Sequence, residues 1–60
     1  MCELEVILDE KKVFGSCIYA KQENNNVIVK DILGLTRGFL KSTIMEINIG
    51  TKTLKLKTIK

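Results

Sequence analysis

Along the first nine residues the chain alternates. Cys2, Leu4, Val6 and Leu8 fall on one side, and Glu3, Glu5 and Asp9 on the other. That period of two predicts a strand with one buried face, and only Ile7 breaks it. The charged run Asp9-Glu10-Lys11-Lys12 predicts a turn, and Val13 to Ala20 a second strand with a bulge or bend at Gly15. Glu23-Asn24-Asn25-Asn26 predicts the next turn, because asparagine tolerates the left-handed conformation. Val27–Val29 then form a short third strand.

Asp31-Ile32-Leu33-Gly34 predicts a turn whose amides the Asp31 carboxylate can cap. Residues 35–40 follow as a fourth strand, since two glycines and the lack of a helical pattern argue against a helix there. Lys41-Ser42 leads into a fifth strand, Thr43 to Ile49, with Met45, Ile47 and Ile49 on one face. After Gly50-Thr51-Lys52 the last strand, Thr53 to Ile59, alternates Leu54 and Leu56 with Lys55 and Lys57. Valine, isoleucine and threonine supply seventeen residues against one alanine, which suits strands and not helices. The expected fold is all-β: one domain over residues 1–60, a small antiparallel barrel of about six short strands, SH3-like or OB-like. Closure would remove the open edges that so small a sheet can hardly carry.

Size sharpens this. A chain of 60 residues buries only about 60% of its unfolded surface, so a metal or a partner subunit would help it. No apolar run is long enough to span a membrane or act as a signal peptide, and a cytoplasmic protein is expected. The chain has no histidine, which removes histidine triads and imidazole switches, and no phosphate-cradling glycine loop is present. An enzyme is not expected. Charge is uneven: residues 1–30 carry −1 and residues 31–60 carry +4. Lys52 in the turn and Lys55 and Lys57 on the last strand fit either an edge strand protected from aggregation or a weak RNA-binding surface. Phe14, Tyr19 and Phe39 are the only rings for base stacking, and the core claims at least two of them.

The chemistry concentrates at the chain start. The Met1 amine, the Cys2 backbone nitrogen and the Cys2 thiolate can close two fused five-membered chelate rings. Planar nitrogen and sulfur donors suit nickel(II) or copper(II) better than tetrahedral zinc. A fourth donor can come from a second chain across a two-fold axis, so a homodimer fits the site. Cys2 equally fits the first core-facing position of its strand. Cys17 reads as a small buried hydrophobe, and Met45 as core. A Cys2–Cys17 disulfide would need the first two strands to pair in an oxidising compartment.

Met1-Cys2-Glu3, the strand that follows it, Asp31-Ile32-Leu33-Gly34, and the ending Ile44–Ile49 then Leu54–Leu56 together resemble the CooT family. Its founding member is a small accessory protein for nickel insertion into carbon monoxide dehydrogenase. The resemblance runs over essentially the whole chain. It implies a compact all-β homodimer that binds nickel(II) through Cys2 at the subunit interface and serves a nickel-enzyme client. Some members of the family carry a predicted RNA-binding label. Cys17 has no counterpart in the family pattern.

Overall fold

The computed structural model describes residues 3–59. Six strands follow one another: β1 (Leu4–Leu8), β2 (Lys11–Glu23), β3 (Asn26–Asp31), β4 (Thr36–Phe39), β5 (Ser42–Asn48) and β6 (Thr53–Thr58). They form one sheet in the order β4-β3-β2-β1-β6-β5. The all-β class and the expected strands are present. The expected barrel is not closed by a strand ladder, because β4 and β5 remain as edges. Nor is every pair antiparallel, since β1 and β6 run parallel, with Val6 beside Leu54 and Leu8 beside Leu56.

Turn chemistry explains the local course. Asp9 and Glu10 both hold positive φ, 49° and 69°, which matches the tight turn joining paired Leu8 and Lys11. The Asp9 carboxylate then accepts from the Thr58 amide at 3.1 Å, tying this turn to the end of β6. Asn24 takes φ 55° in the asparagine turn, as expected.

β2 is long because it serves two neighbours. Its first half pairs with β1 and its second half with β3, and Cys17 faces both Leu4 and Asp31. Register shifts occur on both sides of this point, between Leu4 and Val6 on β1 and between Cys17 and Tyr19 on β2. The bend expected at Gly15 is realised with Ser16 in the left-handed conformation, φ 55°. The two halves of the sheet thereby face each other over a small core. Val6, Leu54 and Leu56 come from one half, Val27, Val29 and Phe39 from the other, and Cys17 sits at the corner.

Two long polar side chains bridge the halves where no ladder does. Gln22 Oε1 accepts from the Ile44 amide at 2.9 Å and from Thr43 Oγ1 at 3.1 Å, while its Nε2 donates to the Ser42 carbonyl at 3.3 Å. Beside it the Ser42 amide donates to the Asn25 carbonyl at 2.7 Å. On β4, Arg37 pairs in register with buried Val29. Its guanidinium lies 5.3 Å from the Phe39 ring centroid and donates to the Val13 carbonyl at 3.1 Å.

Three expectations need correction. The lysine-bearing β6 is not an edge: it lies between β1 and β5. Met45 is not core, because a register shift between Ile44 and Glu46 places it in a bulge, 59% exposed. That bulge also breaks the single face expected of Met45, Ile47 and Ile49. Glu46 lies beside Lys55 in register, and Ile47 beside buried Leu54.

Gln22→Ala removes the clamp between β2 and β5 and leaves part of the β5 edge without its partner. We expect a loss of about 1–3 kcal/mol, seen as a lower urea midpoint with an unchanged slope. Gln22→Glu, which keeps the acceptor for the Ile44 amide, should lose less.

Candidate metal centre

Of the residues expected to carry chemistry, Met1 and Cys2 lie outside the described residues. The metal site expected there, and any Cys2–Cys17 pairing, lie outside them too. What surrounds the start of β1 is described. Leu4 faces Cys17, and the next two residues of β2, Ile18 and Tyr19, are about half exposed. The Lys30 ammonium stands 5.7 Å from the Tyr19 ring centroid.

Cys17 itself is sealed. Its side chain is fully buried at the corner of β2, and Sγ donates to the Tyr19 carbonyl at 3.2 Å. A thiol held this way packs as a small hydrophobe and is closed to solvent reagents and metal ions. Among the described residues, no three histidine, cysteine, aspartate or glutamate side chains come together as a metal-binding group.

On the far side of the Cys17 row the chain turns from β3 to β4 through residues 32–35, and the expected cap is present. Asp31 Oδ1 accepts from both the Leu33 and Leu35 amides at 2.9 Å. The Asp31 amide donates to the Leu35 carbonyl at 2.9 Å, and the Gly34 amide to the Asp31 carbonyl at 3.0 Å. Gly34 takes φ 87°, a conformation a side chain would strain. The Ile32 amide anchors the loop to the Ser16 carbonyl at 3.1 Å. These bonds clasp the loop, yet it presents Ile32, Leu33 and Leu35 outward, with Leu33 81% exposed. Sequence reasoning caught the cap and missed this display. The available signal was three branched apolar residues set around one glycine in a turn.

The lysines named for RNA binding are only partly gathered. Lys55 and Lys57 leave the outer face of β6, while Lys52 sits in the preceding turn with φ 55°. An open groove of about 680 Å³ runs past Lys55 and Lys57, and Asp9, Glu10 and Glu46 line it as well. Carboxylates therefore offset the lysines that a phosphate would meet. Phe39 is buried and Phe14 half-buried in the core, as expected. Tyr19, the exposed ring, stands on β2 and not on β6 or the neighbours of β6. Ion pairs among the described residues lie elsewhere, Lys12–Glu5 at 3.3 Å and Lys21–Glu23 at 3.1 Å. Glu23 raises the pKa of Lys21 from its usual value through that hydrogen bond and its charge.

No family model matches this chain, and no curated protein matches it.

The burial of Cys17 predicts a thiol count. In native protein an aromatic disulfide reagent should leave the Cys17 thiol unreacted, and that thiol should titrate only after denaturation. Native Cys2→Ser should release no chromophore. Rapid reaction of native Cys2→Ser would show that Cys17 is open to solvent.

Proposed function

We infer that this chain is a cytoplasmic nickel(II)-binding accessory protein that holds the metal at the start of the chain and yields it to a client enzyme. The donors are the Met1 amine, the Cys2 backbone nitrogen and the Cys2 thiolate, and a second chain completes the coordination. The observation that carries this reading is the sealing of Cys17 in the core. With no histidine in the sequence, Cys2 is then the one soft, ionisable donor left to a metal. The resemblance of Met1-Cys2-Glu3 and Asp31-Ile32-Leu33-Gly34 to the CooT family supports the same metal. Half-exposed Ile18 and Tyr19 beside the start of β1 supply apolar surface for the chain-to-chain contact.

The alternative is RNA binding by Lys52, Lys55 and Lys57. Acid residues in the lysine groove and the position of Tyr19 favour nickel over it. Selectivity for nickel over copper would not come from affinity, because copper(II) binds such donors more tightly. Metal supply or docking to the client must decide it.

Titrating reduced protein with nickel(II) should raise thiolate-to-nickel absorption bands that saturate near half an equivalent per chain. Cys17→Ser should keep the bands and Cys2→Ser abolish them. Saturation at one equivalent would retain the metal and remove the sharing between chains. No band in the parent protein would overturn the nickel reading, and RNA binding that falls steeply with salt would replace it. The amine and thiol have ordinary pKa values of about 7.7–8.0 and about 8.5, and both must lose protons to bind. Apparent nickel affinity should therefore fall as the pH is lowered through that range.

A further inference from the structure

β5 carries a ladder on one side only, to β6. Its outer side is divided. At the amino-terminal end the Ser42 amide is taken by the Asn25 carbonyl and the Ile44 amide by Gln22 Oε1. From Met45 onward no strand among the described residues covers that side, and β5 ends at Asn48 before the turn that begins with Ile49. The open stretch of β5 thus runs over residues 45–48 and Ile49 follows it at the start of the turn, so Ile47 is the midpoint of residues 45–49. Its three large apolar residues, Met45, Ile47 and Ile49, are 59%, 56% and 57% exposed.

Ile47 is the telling position. In register it continues a row from Val6 through Leu54, and both of those are fully buried. Residues paired across neighbouring strands share a face of the sheet, so Ile47 lies on the core side. It is exposed because the row stops there and no further strand flanks it.

The geometry points to a second copy of this chain as the missing neighbour, with two β5 strands pairing antiparallel about a two-fold axis at Ile47. An antiparallel strand laid on its own copy is an isologous contact, so one open edge satisfies both chains and, without metal, the assembly closes as a dimer. The side chains agree with that register. Ile47 meets Ile47 of the second copy and extends the buried row from Leu54 into the equivalent row. Glu46 meets Asn48 of the second copy, so no charge faces its like across the seam. Ile49 comes against the bulge at Met45, where a flexible thioether can adapt to it. The Gln22 clamp stops the pairing at Ile44, which limits it to the symmetric stretch.

This contact is separate from the metal-bridged one. β1 lies two strands inside β5, so five interstrand spacings, about 24 Å along the joined sheet, separate the two copies of β1. The contact needs no metal and no Cys2.

Sedimentation equilibrium of the full chain in chelator, over a concentration series, tests the oligomer. The parent protein and Cys2→Ser should both dimerise. Ile47→Lys should weaken dimerisation about tenfold or more, because a core-side charge on an edge strand blocks sheet extension. Its circular dichroism should stay that of the parent. A covalent test covers the case in which Ile47→Lys fails to fold. In the Cys2→Ser background, Ile47→Cys should form a disulfide-linked dimer on mild oxidation, whereas Thr43→Cys, on the blocked half of β5, should not. A parent protein that stays monomeric throughout would overturn the proposal. So would a dimer in which Ile47→Cys links no faster than Thr43→Cys. Loss of nickel binding would leave this result untouched, so the two readings fail separately.

Discussion

A thirteen-residue strand cannot stay flat and also wrap so small a core, and the bend in β2 is what every other part of the structure depends on. The strand changes partners at Cys17, leaving β1 and taking up β3, with a register shift on each side. Bulges bend the strand that carries them and increase its twist, so the second half of the sheet folds over the first. Val27, Val29 and Phe39 come to rest on Val6, Leu54 and Leu56 as a result. Cys17 occupies the inside of the corner, where a larger side chain would hold the halves apart. The same bend carries Ser16 to the loop after β3, and its carbonyl fixes Ile32 there.

The corner also decides where reactivity can reside. A cysteine at the inside of a bend is spent on packing, so its thiol is lost to metal chemistry. The core the bend creates is small, and polar side chains complete it. Gln22 and Arg37 reach across from β2 and β4 to make bonds a ladder would otherwise make. In so short a chain the sheet cannot cover all of its apolar residues. Much of the surplus gathers on the clasped loop at Ile32, Leu33 and Leu35 and along Met45, Ile47 and Ile49, while Ile18, Tyr19 and Leu40 are exposed elsewhere.

Features governed by neighbouring residues were legible in the sequence. The asparagine turn, the Asp31 cap and the alternation of Leu54 and Leu56 with lysines each rest on residues a few positions apart. Features governed by distant residues were not. Nothing near Lys55 says that β6 will lie beside β1 in parallel, and that pairing moves the lysine strand from an edge to the interior of the sheet. Met45 was misplaced because a bulge shifts the period by one residue without any glycine to announce it. Gln22 looked like an ordinary polar residue, and its role appears only when β5 arrives twenty residues later. At the site, the burial of Cys17 was legible from its apolar neighbours, whereas the outward display of Leu33 depends on a loop geometry that composition does not encode.

The parallel pairing of β1 with β6 bears on how the protein is made. Residues 5–8 have as their lasting neighbours residues 53–56, so an interior pair of the sheet joins segments far apart in the sequence. Contacts so distant in sequence form late and slowly, because the intervening loop must be closed before they stabilise anything. While the ribosome is still making β2 to β5, the apolar face of β1 has only one of its two flanking strands. Leu54 and Leu56, which will lie beside Val6 and Leu8 in the sheet, do not yet exist. The nascent chain is most open to misassociation in that interval, and its core can close only after residues 53–58 have left the exit tunnel.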